Sequence, residues 1–395
     1  MNLAVIGFGN AGGKIADRLL AFERETGRSL SAFAMAVNAA AIDLERLEVI
    51  PEEKRLLIGQ THEQVKGRGA GADPELGAEV TRQDLNEIER ALDGVPLHAV
   101  DGFLVVAGLG GGTGSGGAPV LAERLGETYE EPVYGLGVMP GSAEGGRASL
   151  NAARSLQSFT NATENLMLFD NDAWRSTDDS IEGGYQRTNQ ELARRFVTLL
   201  AAGEIDGSQV SESAMDSSDI RRTLSTGGVS TIAYSEATVE QETRKSQGLL
   251  GRLSTNGHDE NESENSDLPI KIHGLVRKAV QSRLTCPADV SSAERALIVI
   301  SGPPREFSQK GIQRARQWLE QETQSVEVLA GDDPRQDADT LSACVLLSNV
   351  TDVPRVDQLQ EQAVGAQDSI DDQAATREDE IDDLITDDQN RIDPV

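Results

Sequence analysis

The chain of 395 residues is short of several residue types, and each shortage removes a class of function. Cysteine occurs twice, at Cys286 and Cys344, too few and too far apart for a disulfide scaffold or a zinc cluster, and this usage fits a reducing cytoplasm. Basic residues number 36 against 66 acidic ones, giving a formal net charge of −30 that repels the phosphates of nucleic acid and of anionic membranes. Nucleic acid is therefore excluded as a primary partner, and any bound phosphate must be held locally. No run approaches the roughly 20 apolar residues of a membrane span, which argues against direct membrane insertion. The start, MNLAVIGFGNAGG, lacks a basic leader region and a cleavage site and is expected to be a first strand. The apolar fraction of 38% is enough for a sizeable core. Acid is spread along the whole chain and Arg far outnumbers Lys, a composition suited to high salt.

From Leu3 to about Leu200, short apolar runs alternate with helix-like stretches: LAVIG, then KIADRLLAFERETG; AFAMAVN; KRLLIG; PELGAEVTRQDLNEIERALDG; FLVVAG; APVLAERLGETY; PVYGLGVM; LMLFD. That rhythm predicts stacked βαβ units and a parallel sheet covered by helices on both faces. Pro74 suits the first position of a helix that continues through Ile88 and Leu92. A long helix, TNQELARRFVTLLAAG, closes this half; the more widely spaced strand patterns that follow predict a second, α+β domain. The predicted division is 1–180, a central helix over 181–204, a second domain over 205–352 with an exposed polar loop at 241–267, and a disordered acidic tail over 353–395. In that tail Ile381, Leu384 and Ile385 read either as a partner-docking motif or as incidental punctuation of a solvating segment.

Two glycine loops carry the chemistry. GFGNAGG places Gly7, Gly9 and Gly12 between a strand and a helix, the context of a dinucleotide-binding turn. The second strand ends at Asn38, however, where a nicotinamide-binding domain has a ribose-holding acid, which argues against an oxidoreductase using NAD(P). The tract GLGGGTGSGG at residues 108–117 sets a second row of bare N–H groups at another strand-to-helix turn. Two such turns can wrap one polyphosphate without cationic side chains. No Lys-Ser/Thr follows, so the tract is not a Walker P-loop, and Thr113 breaks the pattern of a hydrolase nucleophile elbow.

GGGTGSG at residues 110–116 resembles the nucleotide-binding loop of the tubulin/FtsZ superfamily. The likeness extends over about residues 2–350, and LVVAGLGGGTGSGGAPVLA is most similar to the archaeal CetZ group. The resemblance implies a Rossmann-like GTPase domain binding GTP or GDP with Mg²⁺. It assigns Gly9, Asn10, Ala11, Gly12, Gly13 and Lys14 to the first phosphate loop, and Ala70, Gly71 and Ala72 to the γ-phosphate. By the same resemblance Gly110, Gly111, Gly112, Thr113 and Gly114 would form the phosphate cradle, Glu144 matches the acid that binds ribose, and Arg147 matches a nearby family arginine, with EGGR one residue shorter than the FtsZ spacing. Asn171 and Asn189 match the family's two guanine-reading asparagines and Tyr185 the aromatic that stacks on the base; Tyr185 and Asn189 are four apart and share a helical face.

In SAMDSSD, Asp216 and Asp219 match the acids that enter the neighbouring subunit's site and polarise the attacking water. Three segments depart from FtsZ: Ala214 and Lys14 each replace an asparagine, and residues 38–41 read NAAA in place of NTDA. No protein-built metal site is expected. The implied activity is assembly-dependent GTP hydrolysis by a cytoskeletal protein that polymerises head to tail. The expected partner is self, with lateral sheets made through the polar loop and an adaptor on the acidic tail. The implied role is control of cell shape or motility from the cytoplasm with recruitment to the envelope, and an FtsZ-type division protein is the alternative.

Overall fold

The computed structural model describes residues 1–175, 181–203, 215–239, 260–325 and 327–386. Its first half comprises β1 (Leu3–Phe8), α1 (Gly9–Thr26), β2 (Ser31–Asn38), α2 (Ala41–Glu45), β3 (Arg55–Leu57), α3 (Pro74–Gln83) and α4 (Leu85–Leu92). There follow β4 (Gly102–Gly108), α5 (Thr113–Thr128), β5 (Val133–Met139), α6 (Gly146–Ala162), β6 (Asn165–Asp170) and the single turn α7 (Asn171–Trp174). Helix α8 (Ile181–Leu200) leads into the second half: α9 (Ser217–Leu224), β7 (Val229–Thr238), α10 (Glu260–Gln281), β8 (Ala293–Gly302), α11 (Gln309–Thr323), β9 (Glu327–Pro334), β10 (Thr340–Val350) and α12 (Pro354–Thr386).

The strands form one ten-stranded sheet in the order β3-β2-β1-β4-β5-β6-β7-β10-β8-β9. From β3 to β6 every pairing is parallel, in doubly wound order with its topological switch between β1 and β4. The two halves join where β6 pairs in parallel with β7 through Leu166 and Met167; β10 then runs antiparallel to both β7 and β8. Residues of β1 alternate between two cores: Ala4, Ile6 and Phe8 face one, Leu3 and Val5 the other. A strand buried on both faces reads as an unbroken apolar run, which LAVIGF does. Helix α8 supplies Leu192, Phe196 and Leu199 to the second core, which also takes Leu297 and Leu346 from the C-terminal strands.

Three expectations are corrected. The helix expected from Pro74 through Leu92 breaks at Asp84, whose Oδ2 accepts the backbone N–H of Gly59 at 2.6 Å. The segment expected to remain a loop to residue 267 is helical from Glu260, and the loop before it lies outside the described residues. The tail expected to be disordered from 353 begins as helix α12, because Arg355, Leu359 and Ala363 bury one side against the body while the acids line the other. Residues 387–395 lie outside the described residues. Both cysteines are free and buried, and among the described residues no helix is long and apolar enough to cross a membrane.

Candidate functional site

The carboxyl ends of β1 and β4 flank the switch point, where an open parallel sheet offers a crevice. The turn after β1 starts α1 directly at Gly9, and the turn after β4 starts α5 at Thr113. These turns touch: Gly9 takes φ 73°, and a Cβ there would lie 2.8 Å from the Gly114 nitrogen. The two phosphate loops expected from sequence are therefore one surface. Within the tract the glycines differ in purpose. A Cβ at Gly116 would strike the Pro74 carbonyl oxygen, so bareness there serves the packing of α3 on α5. At Gly111 and Gly71 a Cβ would meet no heavy atom within 4 Å, so these two positions border open space.

Three helices begin around this space. Helices α1, α5 and α6 each lack a capping side chain and an acidic residue in the first turn. By contrast α3, α7 and α9 are capped by Asp73, Asp170 and Asp216. In so acidic a chain, three uncapped, acid-free N termini leave N–H donors and dipole ends for an anion. Asn10, Ala11 and Lys14 are exposed on α1, whereas Gly12 and Gly13 are buried beneath it. Ala70 is buried; Gly71 and Ala72, both at positive φ, form the exposed turn ahead of α3.

Asn151 of α6, which sequence reasoning missed, holds this architecture together. Its Nδ2 donates to the carbonyls of Ala72 at 2.9 Å and Gly110 at 3.1 Å. Ser155, one turn on, donates to Ser115 O at 2.8 Å, and Ser115 Oγ donates back to Gly111 O. The available signal was a polar pair four apart, Asn151 and Ser155, beside the buried Ala152 and Leu156 of the same helix.

The turn after β5 and helices α6, α7 and α8 carry Glu144, Arg147, Asn171, Tyr185 and Asn189. Glu144 ends a 3₁₀ turn, Ser142–Glu144, where its Oε1 accepts the Gly141 N–H at 2.8 Å and the Tyr185 hydroxyl at 3.3 Å. Burial and the Glu144 carboxylate push the Tyr185 phenol above its usual range, so it stays a neutral donor. Asn189, one turn along α8, is half-buried, and Asn171 opens α7. The turn bearing Glu144 is tied to α7 because Asp172 accepts the Ser142 N–H at 2.8 Å. Arg147, exposed in the first turn of α6, borders a shallow hollow with Ala366 and Ile370 of α12.

Asp216 and Asp219 are not brought to this cleft. They form a capping box at the start of α9, where the bonds from the Ser218 side chain and from backbone N–H groups hold the Asp216 carboxyl below its usual range. Helix α9 sits by the amino ends of the strands: Arg221 is 3.9 Å from Asp101, just ahead of β4. Helix α8 spans between the two poles. Tyr185 meets Glu144 at one end, and the N-terminal amine of Met1 donates to Leu200 O at the other. Twenty residues make α8 about 30 Å long. Ala214 lies outside the described residues.

For a metal ion, no group of three or more His, Cys, Asp or Glu side chains among the described residues is disposed to hold one. A divalent cation here would need oxygens brought by a bound ligand.

Residues 2–179 match the Tubulin/FtsZ family, GTPase domain, and residues 178–365 match the Tubulin-like CetZ, C-terminal domain. Tubulin-like protein CetZ1 of Haloferax volcanii is 50% identical over 370 residues, 93% of each chain. Tubulin-like protein CetZ3 of the same organism is 51% identical over 368 residues, covering 93% of this chain and 92% of that one. Among solved structures, the GDP-bound monomer of CetZ1 from Haloferax volcanii superposes with a TM-score of 0.81 at 47% identity, over 93% of this chain and 100% of that one. The GTPγS-bound protofilament of CetZ2 from the same organism gives 0.80 at 39% identity, over 94% and 100%. The chain belongs to the tubulin-like CetZ proteins of the Tubulin/FtsZ family, with its GTPase domain in the N-terminal half.

Proposed function

We propose that the chain binds GTP and GDP in this cleft and hydrolyses GTP as it polymerises head to tail. The N termini of α1, α5 and α6 take the phosphates, with Gly111 and Gly71 lining the space they occupy. Glu144 accepts from the ribose hydroxyls; Asn171 and Asn189 pair with the guanine edge beside the Tyr185 ring. Mg²⁺ accompanies the triphosphate and neutralises its charge.

The observation that carries this reading is that Tyr185 at one end of α8 meets Glu144, whereas Asp216 lies against Gly203 just past the other end. No single copy can bring them together. A second copy stacked pole to cleft can, and a heterologous contact that does not close propagates as a filament. Asp216 and Asp219 then position the attacking water against the γ-phosphate of the next subunit. A GDP-bound monomer of CetZ1 and a GTPγS-bound protofilament of CetZ2 support both halves of this reading.

The deciding experiment follows GTP turnover per subunit as protein concentration rises in concentrated KCl. Turnover should climb steeply past an assembly threshold; a flat profile would show that one copy suffices. The cellular reading is cytoplasmic control of cell shape or motility, with recruitment to the envelope through an adaptor on the acidic C-terminal segment and lateral sheets made through the polar loop. It rests on membership in the CetZ group, which also favours it over a division-ring role.

A further inference from the structure

The first turn of α12 contributes a charge to the base side of the cleft. Arg355 is 6% exposed. Its Nε donates to Asp170 Oδ1 at 3.1 Å and its Nη2 to the Pro140 carbonyl at 3.0 Å, with Asp172 Oδ2 3.1 Å from Nη2. Asp170, 2% exposed, ends β6 and caps α7 by accepting the Asp172 N–H. Asp172 in turn holds the Ser142 N–H, inside the turn that carries Glu144. One planar guanidinium thus touches the end of β5, the end of β6 and the turn that presents Asn171.

From this geometry we infer that Arg355 is a positioning residue for guanine-nucleotide recognition, which makes α12 a working part of the cleft. The inference rests on the reading of Asn171 and Glu144 as base and ribose contacts. Arg355 acts by setting the spacing between the two turns, from beneath them and out of solvent. A lysine retains the charge but not the fork that meets three acceptors at once. Farther along, α12 packs on α6, where Ser149 Oγ donates to Gln362 Oε1 at 3.1 Å. Coupling between sites is reciprocal, so a nucleotide that fixes the two turns must also strengthen the docking of α12.

The test uses the full chain in concentrated KCl with GDP and with IDP, which lacks the exocyclic amine that an Asn oxygen accepts. Arg355→Lys should weaken GDP by about tenfold, the loss of one charge-assisted bond's geometry, and narrow the GDP-to-IDP preference. Gln362→Ala, which loosens α12 away from the cleft, should leave that preference intact. A preference unchanged in Arg355→Lys, with only thermal stability reduced, would make the arginine purely structural and overturn the inference. Hydrogen exchange on the parent gives a reading independent of the variant's stability: GDP should slow amide exchange in residues 354–363. Unchanged exchange there, with GDP bound, would also overturn it. A parent that binds neither nucleotide would instead refute the guanine-nucleotide reading itself.

Discussion

Asn151 Nδ2 lies 2.9 Å from the carbonyl oxygen of Ala72, so an amide on α6 fastens the turn at residues 70–72 to the glycine tract. The same nitrogen reaches the Gly110 carbonyl, and Asn151 is 4% exposed. Truncation to alanine removes two part-buried hydrogen bonds, a cost of about 1–3 kcal/mol in all. Asn151→Ala should therefore weaken GDP binding by roughly ten- to a hundredfold, measured by equilibrium dialysis. An unchanged affinity would mean that the two loops keep their spacing without it.

What sequence could disclose follows from how local each cause is. The glycine loops were legible because a strand, a turn and a helix start are adjacent in the chain, and the bare N–H groups belong to the turn itself. Asn151 was not, since its acceptors come from segments about 40 and 80 residues away. The break at Asp84 was hidden for the same reason: its cause is the N–H of Gly59. Helix α12 was misread because acids crowd its exposed side and mask the spacing of Arg355, Leu359 and Ala363. Arg355 became visible as part of the cleft only when Pro140, Asp170 and Asp172 were seen around one guanidinium.

Two glycine substitutions should separate cradle from packing. Gly111→Ala adds a methyl group into open space, so the protein should fold with nearly parental stability and lose nucleotide affinity. Gly116→Ala drives its methyl into the Pro74 carbonyl and should destabilise the fold by at least about 1–3 kcal/mol, the usual range for overpacking. Thermal unfolding without nucleotide, set beside GDP affinity, gives both numbers. Equal loss of stability in the two variants would mean that Gly111 also serves packing.

The separation of cleft and acids predicts complementation between inactive chains. Asp216→Ala keeps an intact cleft, and Gly111→Ala keeps intact acids. Each alone should hydrolyse GTP slowly. Random co-assembly of equal amounts gives about one interface in four with both halves intact, because the contact is heterologous. Phosphate release from the mixture should reach roughly that fraction of the parental rate. A mixture no faster than the mean of its components would place the acids and the cleft in the same copy.

Asp333 provides the pH test, and it bears on the segment that leads into Asp216. Its carboxylate meets Arg28 Nη1 at 2.7 Å, Arg335 Nη2 at 3.0 Å and the Ser301 hydroxyl at 2.6 Å, joining the end of α1 to β8 and β9. Burial opposes its charge, yet the two arginines and Ser301 outweigh burial and hold the carboxyl below its usual range. A depressed carboxyl contributes stability at pH values above the unfolded value of about 3.9, and that contribution is lost as pH falls through the folded value. Asp333→Asn should cost about 3 kcal/mol at pH 7, where Arg28 is left buried without its counter-charge. The gap between parent and variant, from denaturant titrations in KCl, should then shrink as pH falls below about 3.9. A gap constant with pH would mean that the side chain contributes shape alone. The neighbouring Asp332 carbonyl accepts the Met215 N–H at 3.0 Å, immediately before Asp216. The variant should therefore also slow GTP hydrolysis in assembled protein while leaving GDP affinity unchanged, since Asp216 and the cleft lie at opposite poles.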